Sequence, residues 1–347
     1  MAPTKPSLEL LRSLSDEHVL RALMAQRRAT RAEIAVATGL SKPTVSESVR
    51  RLSDAGVVVD TGARTTGRGR IGTYYGLPAA TGCALVVSIA PEGIVAEAVD
   101  VYGEVVARSH AEVSRAPGAP RVARTLKRVA GEVAGRCGGP VRLAVVSAAD
   151  PVDRETGRLV ELPDAPFLVG ALDPPAALAA LVDGPVTVDN DVNWAARAEP
   201  GHRDFVYVFL GEGVGAAVVS DGEVRRGHAG LAGEIAHVVT AGPGDTAMRL
   251  TDVFAALGLR QPGSTAIDVP ALLRAVEHDT VRADLARAIA GLLSAAVALA
   301  DPAVVLLGGP WGRDARVLAA VEDEPSLTGA RSAALERLRD AIVAARR

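Results

Sequence analysis

The sequence predicts a small, mainly α-helical N-terminal module carrying a hairpin wing, followed by a larger α/β body built from two similar halves. Three observations point there. Two capped helical segments flank a glycine between Thr30 and Ala55. The charge changes sign along the chain: residues 1–77 hold 12 Lys and Arg against 7 Asp and Glu, a balance of +5, which leaves −8 for the rest of a chain whose net charge is −3. After Gly82, a meander of strands followed by helices and further strands occurs twice.

The N-terminal module is organised around Ser41–Leu52, SKPTVSESVRRL. Ser41 is an N-cap, because its hydroxyl can accept a free backbone N–H of the first turn. Pro43 falls in that turn, where its missing N–H costs nothing. Val45, Val49 and Leu52 recur at helical spacing and bury one face. Lys42, Thr44, Ser46, Glu47, Arg50 and Arg51 remain on the other faces, a polar and basic surface suited to base edges and phosphates. Upstream, Thr30 and Glu33 form a capping box. Gly39 supplies a left-handed turn that few other residues accept cheaply. Thr30–Leu40 and Ser41–Ala55 are thus a helix-turn-helix. An earlier helix, about Asp16–Gln26, adds Val19, Leu20 and Leu23 to its core. Val57–Val59 reads as a strand, Thr61–Gly72 as a loop carrying Arg64, Arg68 and Arg70, and Tyr74–Leu77 as the returning strand. Three helices and a basic hairpin make a winged helix. Thr30, Ser41, Lys42, Thr44, Ser46, Glu47, Arg50, Arg51, Arg68 and Arg70 are its candidate DNA-binding residues. If Arg50 meets a phosphate, its loss should lower the salt slope of binding by about one.

At 347 residues, two or three domains are expected. The boundary is placed after residue 80, giving a module of 1–80 and a body of 81–347. Cys83 and Cys137 are far apart, which gives no disulfide framework and no cysteine cluster for a metal. The N-terminus has no apolar run of the signal-peptide kind. The most apolar stretch, Ala288–Ala300, is shorter than the ~20 residues of a membrane span. A cytoplasmic protein is expected, with no membrane partner.

In the body, Ala84–Ala90, Ile94–Val101 and Glu104–Val113 are joined by tight turns as an antiparallel meander. Val122–Ala134 is a helix, Val141–Val146 a strand, Pro175–Val182 a helix and Val186–Val188 a short buried strand. The second round has strands at Phe205–Leu210, Gly215–Val219 and Glu223–Arg226. Helices follow at about Leu250–Leu257, Val269–Glu277 and Val281–Ala300, then a strand at Val304–Leu307. Helices at Asp314–Val321 and Ala330–Ala345 close the chain.

Asp189-Asn190-Asp191-Val192-Asn193 follows a short strand, with Asp191 placed to cap the helix Val192–Glu199. A cap accounts for one of these polar residues, whereas open α/β sheets bind ligands at such strand ends. An amide beside a carboxylate can hold a polyol, and the carboxylate can act as a base toward a hydroxyl. Gly211–Gly215 is a glycine-rich hairpin: an ordinary tight turn, or a backbone able to approach phosphate. Glu234 and His237 lie on one side of a turn, as structural residues, sugar ligands or metal ligands.

With Ser41–Thr44, Asp189–Asn193, Ala232–His237 and Asp301–Gly309 in view, the chain resembles the repressor branch of the ROK family (repressors, uncharacterised reading frames and sugar kinases) from about Leu10 to its end. The resemblance implies a winged helix-turn-helix followed by a duplicated α/β actin-like (ribonuclease H-like) ATPase/sugar-kinase domain. It implies sugar contacts from Asn190, Asp191, Glu234 and His237, with Asp191 at the position of the kinases' catalytic base. It places Asp301-Pro302 and Gly308-Gly309 where kinases meet adenosine. The chain departs from the kinase pattern in four places. Ser88-Ile89-Ala90-Pro91 replaces an Asp-x-Gly phosphate loop. Glu212 stands where a hydroxyl residue is usual. Ala149-Asp150 replaces a Pro-Gly, and the cysteines of a zinc segment after His237 are absent. The expectation is a transcriptional repressor of sugar-metabolism genes without kinase activity. It would use no cofactor, neither zinc nor ATP. Its partners would be a palindromic double-stranded DNA operator, a sugar-like effector and a second copy in a homodimer or higher homo-oligomer. The alternative is an active ROK sugar kinase with a fused DNA-binding domain; a third reading is a scaffold that binds no ligand.

Overall fold

The structure is a computed structural model that describes residues 8–66, 71–113, 118–162, 170–312 and 325–344. The chain opens with α1 (Leu8–Gln26), β1 (Ala29–Thr30), α2 (Arg31–Thr38), α3 (Lys42–Asp54), β2 (Val59–Arg64) and β3 (Thr73–Gly76). Both expected caps form. Thr30 Oγ1 accepts the Glu33 N–H at 3.3 Å while the Glu33 carboxylate accepts the Thr30 N–H at 2.7 Å. Gly39 ends α2 at φ 70°, and Ser41 Oγ accepts the Thr44 N–H at 3.3 Å. Val19, Leu20, Leu23, Ile34, Val45 and Val49 are fully buried as one core.

Four details of the module differ from expectation. Thr61–Arg64, expected in the loop, belongs to β2, which pairs with β3 as far as Arg64–Thr73. α1 starts eight residues earlier, at Leu8, and its added turns carry exposed Leu8, Leu10, Leu11 and Leu14 rather than core residues. Val57 and Val58 are not strand residues: their N–H groups bond to the Leu52 carbonyl in the turn that buries them. The two-residue β1 was not foreseen; it pairs Ala29 with Tyr75 and Thr30 with Tyr74, giving the sheet order β1-β3-β2. Arg68 and Arg70 lie outside the described residues.

The body begins with β4 (Cys83–Ala90), β5 (Gly93–Asp100) and β6 (Val105–Ala111), then α4 (Ala119–Ala134), β7 (Val141–Ala148), α5 (Pro174–Leu178), β8 (Val186–Asn190) and α6 (Asp191–Ala198). The expected meander forms, and β7 and β8 extend it in parallel, giving the order β6-β5-β4-β7-β8. The second half runs β9 (Phe205–Leu210), β10 (Val214–Ser220), β11 (Glu223–Val224), β12 (Val239–Ala241), β13 (Ala247–Arg249), α7 (Leu250–Ala256), α8 (Val269–Ala275), α9 (Asp279–Ala300), β14 (Val304–Gly308) and α10 (Pro325–Ala344). Its sheet is β11-β10-β9-β14, again a meander closed by a parallel strand. The β12–β13 hairpin occupies the segment after His237 that the sequence left unassigned. The helix expected at Asp314–Val321 lies outside the described residues.

α6 is the central element. Val192, Ala195 and Ala196 pack on the second sheet with Phe205, Tyr207 and Val219, while Trp194 faces the first sheet. Trp194 is fully buried and donates its indole N–H to the Val146 carbonyl at 3.0 Å. α10 returns across the first half and covers α6, β7 and β4. It reaches the N-terminal module as well: Leu338 and Ile342 share a core with Leu77, Val99 and Val101, and Arg21 pairs with Asp340 at 2.9 Å. The boundary expected after residue 80 falls at a single 3-10 turn, Ala79–Thr81.

Two readings of the sequence need correction here. Cys83 and Cys137, 54 residues apart, are joined in a disulfide, because the start of β4 and the end of α4 lie side by side with a Cα–Cα distance of 6.7 Å. The apolar stretch Ala288–Ala300 belongs to a helix of 22 residues, long and apolar enough to cross a membrane by length and composition alone. That helix, α9, carries Asp279, Arg282, Asp284 and Arg287 in its first half and buries Leu285, Ala288, Ile289 and Leu292 against the second sheet.

Candidate functional site

The carboxyl ends of β4, β7, β8 and β9 open on a shared cleft of about 330 Å³ between the two halves. That size is at the lower end of the ~300–1,000 Å³ usual for small-molecule sites. The β8–α6 junction forms its floor. Asp189 is buried and fully engaged. It accepts from Arg226 Nε at 2.7 Å, from Asn193 Nδ2 at 2.7 Å and from the Asn190 N–H at 3.0 Å. Asn190, not Asp191, caps α6: its side-chain oxygen accepts the Val192 N–H at 2.9 Å. β8 runs two residues beyond its expected end, so the helix starts one residue earlier. The Asn190 amide also donates to the Ala148 and Asp150 carbonyls, each at 3.4 Å.

Asp191 is thereby released to face the cleft. Burial pushes its carboxyl up to about 7, against the pull of the Val192 N–H, and the nearby Glu234 and Glu92 carboxylates add to the rise. Burial also raises the Glu234 carboxyl. Glu234 and His237 line the same cleft, Glu234 just before and His237 at the end of a 3-10 turn, Ile235–His237. Gly233 makes this approach possible. Its φ is 99° and a Cβ there would fall 1.9 Å from the Ala216 carbonyl oxygen. Glu92, Asp150 and Glu212 complete an acidic lining, and among the described lining residues none is Lys or Arg. A carboxyl poised near neutrality can either donate to or accept from a sugar hydroxyl, whereas a lining of this sign repels phosphate.

Among the described residues no group of three or more His, Cys, Asp or Glu is placed to hold a metal ion. Arg226 is the residue that sequence reasoning missed. It lies 37 positions from Asp189, and only the packing of the second meander against α6 brings them together.

In the N-terminal module, Lys42 is exposed at the head of α3. The Ser41 and Thr44 hydroxyls bond each other at 2.8 Å, and Ser46 is half-buried. Thr30 is buried with its hydroxyl spent on the cap. The α3 arginines have carboxylate partners. Arg50 pairs with Glu47 at 2.6 Å and with Asp54 at 3.4 Å. Arg51 turns inward to Asp16 at 2.6 Å and to the Ser48 hydroxyl at 2.9 Å.

The winged helix-turn-helix DNA-binding family model matches residues 12–59, and the ROK family model matches residues 87–250. The xylose repressor of Caldicellulosiruptor bescii is 23% identical over 237 residues, covering 66% of this chain and 59% of its own. A glucokinase of Streptomyces coelicolor is 29% identical over 164 residues, 45% of this chain; the match spans about half, 50%, of that glucokinase. Among solved structures, a ROK family transcriptional regulator homologous to the E. coli MLC protein superposes with a TM-score of 0.63 at 17% identity, covering 97% of this chain and 98% of that one. A ROK glucokinase from Streptomyces griseus, in complex with glucose and AMPPNP, superposes with a TM-score of 0.53 at 21% identity over 74% of this chain and 100% of its own. The chain carries a ROK-family domain behind an N-terminal winged helix-turn-helix module.

Proposed function

We propose that this protein is a cytoplasmic DNA-binding transcriptional regulator, a repressor of sugar-metabolism genes, whose ROK domain binds a small sugar or sugar derivative. The observation that carries the reading is the joining of a winged helix-turn-helix to a sugar-kinase-like cleft lined by Glu92, Asp150, Glu212 and Glu234, with no Lys or Arg among the described lining residues, a poor setting for a nucleotide's phosphates. Phosphoryl transfer rests on positioning and neutralising those phosphates. Glu92 and Glu212 do the opposite, and Pro91 offers no N–H. The family's repressors, which include the xylose repressor above, supply the class of effector. Asp191, Glu234 and His237 contact it, and Asn190 holds the loop that presents Asp191. Two copies bind a palindromic operator through their two-fold symmetry.

Regulation follows if the effector binds the DNA-competent and DNA-free arrangements unequally. The route is short. Asp191 heads α6, α6 packs under α10, and α10 touches α1 of the DNA-binding module. Asp191→Asn should impair the response to effector and leave effector-free DNA binding intact. An ATP-consumption assay with a sugar panel tests the rest: no turnover is expected, and sugar-dependent turnover lost in Asp191→Asn would make the protein a kinase. We also expect no stoichiometric zinc, because four ligands are usual for a structural site. One zinc per chain resisting dialysis would contradict that.

A further inference from the structure

We propose that Arg28 and Arg31, held on the wing by Tyr74 and Tyr75, are the cations that grip the DNA backbone; the proposal rests on the DNA-binding reading above. The arginine charge on α3 is compensated within the module, which leaves the exposed Lys42 at the head of that helix. Arg50 and Arg51 are paired with Glu47, Asp54 and Asp16, two cations against three carboxylates. On the wing, Arg64 pairs with Asp60 at 2.8 Å. The exposed pairs of Arg50 and Arg64 are individually weak, so either arginine could leave its partner for a phosphate. Its carboxylates would stay behind and repel the same phosphate.

Arg28 and Arg31 differ. Both are exposed, and no described carboxylate forms an ion pair with either. Each guanidinium lies over an aromatic ring instead: Arg28 over Tyr74 at 5.3 Å from the ring centroid, Arg31 over Tyr75 at 5.0 Å. A stacked guanidinium keeps its edge N–H groups free, and these form the planar fork that matches phosphate. Stacking also removes much of the side-chain freedom that binding would otherwise have to freeze. Tyr74 and Tyr75 are neighbours on β3, which pairs with β1 between the two arginines, so successive side chains face opposite ways. The two arginines therefore flank the wing strand on both sides. Neighbouring Arg27 takes no part, because it pairs with Glu104 of the body at 2.8 Å.

The test is the salt dependence of binding of the full chain to a random-sequence duplex, where phosphate contacts supply essentially all of the affinity. Each phosphate contact contributes about 0.9 to the slope, so the Arg28→Gln/Arg31→Gln double variant should lower it by about two and weaken binding roughly tenfold or more. Arg50→Ala should lower it by less than half a unit on that scale. The Arg28→Lys/Arg31→Lys variant keeps the charge and should keep the slope. An unchanged slope in the glutamine variant would overturn the proposal. So would a lysine variant that fails to restore it, since the loss would then be structural. If the unmodified chain fails to bind duplex at low salt, it is the DNA-binding reading itself that falls.

Discussion

Asp191 concentrates the chemistry of the cleft in one carboxyl. An unfolded aspartate titrates near 3.9, and in the folded chain burial raises this group to about 7. The folded state therefore binds more protons than the unfolded state between those values. Stability falls as pH rises through that window, and the loss is complete above the folded value. Asp191→Asn removes the penalty. Thermal unfolding should then show the variant gaining on the parent between pH 5 and pH 8, by roughly 1–4 kcal/mol at the upper end. Parallel curves for parent and variant would mean that the carboxyl is not desolvated as described. Asp191 was legible in the sequence as the carboxylate at a strand-to-helix junction. The division of labour around it was not. Asn190 and Asp191 are equally good caps on paper, and a helix that starts one residue early decides which of them is left to face the cleft. Arg226 was invisible for a different reason: its partner Asp189 is set by tertiary packing, which leaves no spacing to read.

The elements were legible wherever a local rule marks an end. The Thr30–Glu33 box, Gly39 and Ser41 place α2 and α3 to the residue. α1 has no such marker, and its first two turns expose leucines, so periodicity pointed only to the buried half. α10 decides how the module is held to the body. Its ion pair with Arg21 leaves the two side chains 48% and 57% exposed, and such pairs contribute about 0–1 kcal/mol. Leu338 of the same helix is fully buried, and truncating a buried leucine costs about 2–5 kcal/mol. Of these two α10 contacts, the apolar one therefore carries more of the attachment. Asp340→Asn should change stability by less than about 1 kcal/mol, whereas Leu338→Ala should cost about 2–5 kcal/mol in denaturant unfolding. Equal effects would place the attachment in the ion pair. On α3, Thr44→Ala or Ser46→Ala should change sequence preference by roughly 1–3 kcal/mol if a base contact is lost, which competition among duplexes would measure.

At the scale of the whole molecule, the order of elements was readable because a strand meander followed by helices occurs twice, each time with glycines at the turns. The disulfide between Cys83 and Cys137 and the β12–β13 hairpin were not. Both depend on which segments pack side by side. The central claim is that one chain couples a DNA-binding module to an uncatalytic sugar cleft through α6 and α10. Titrating the full chain onto duplexes taken from upstream of its own gene, with and without a panel of unphosphorylated sugars, tests it most directly. The account predicts binding to one such duplex tighter than to unrelated DNA, with an affinity that changes when one of the sugars is present and does not change in Asp191→Asn. Affinity no better than for unrelated DNA, or specific binding that Asp191→Asn leaves equally sugar-responsive, would contradict it.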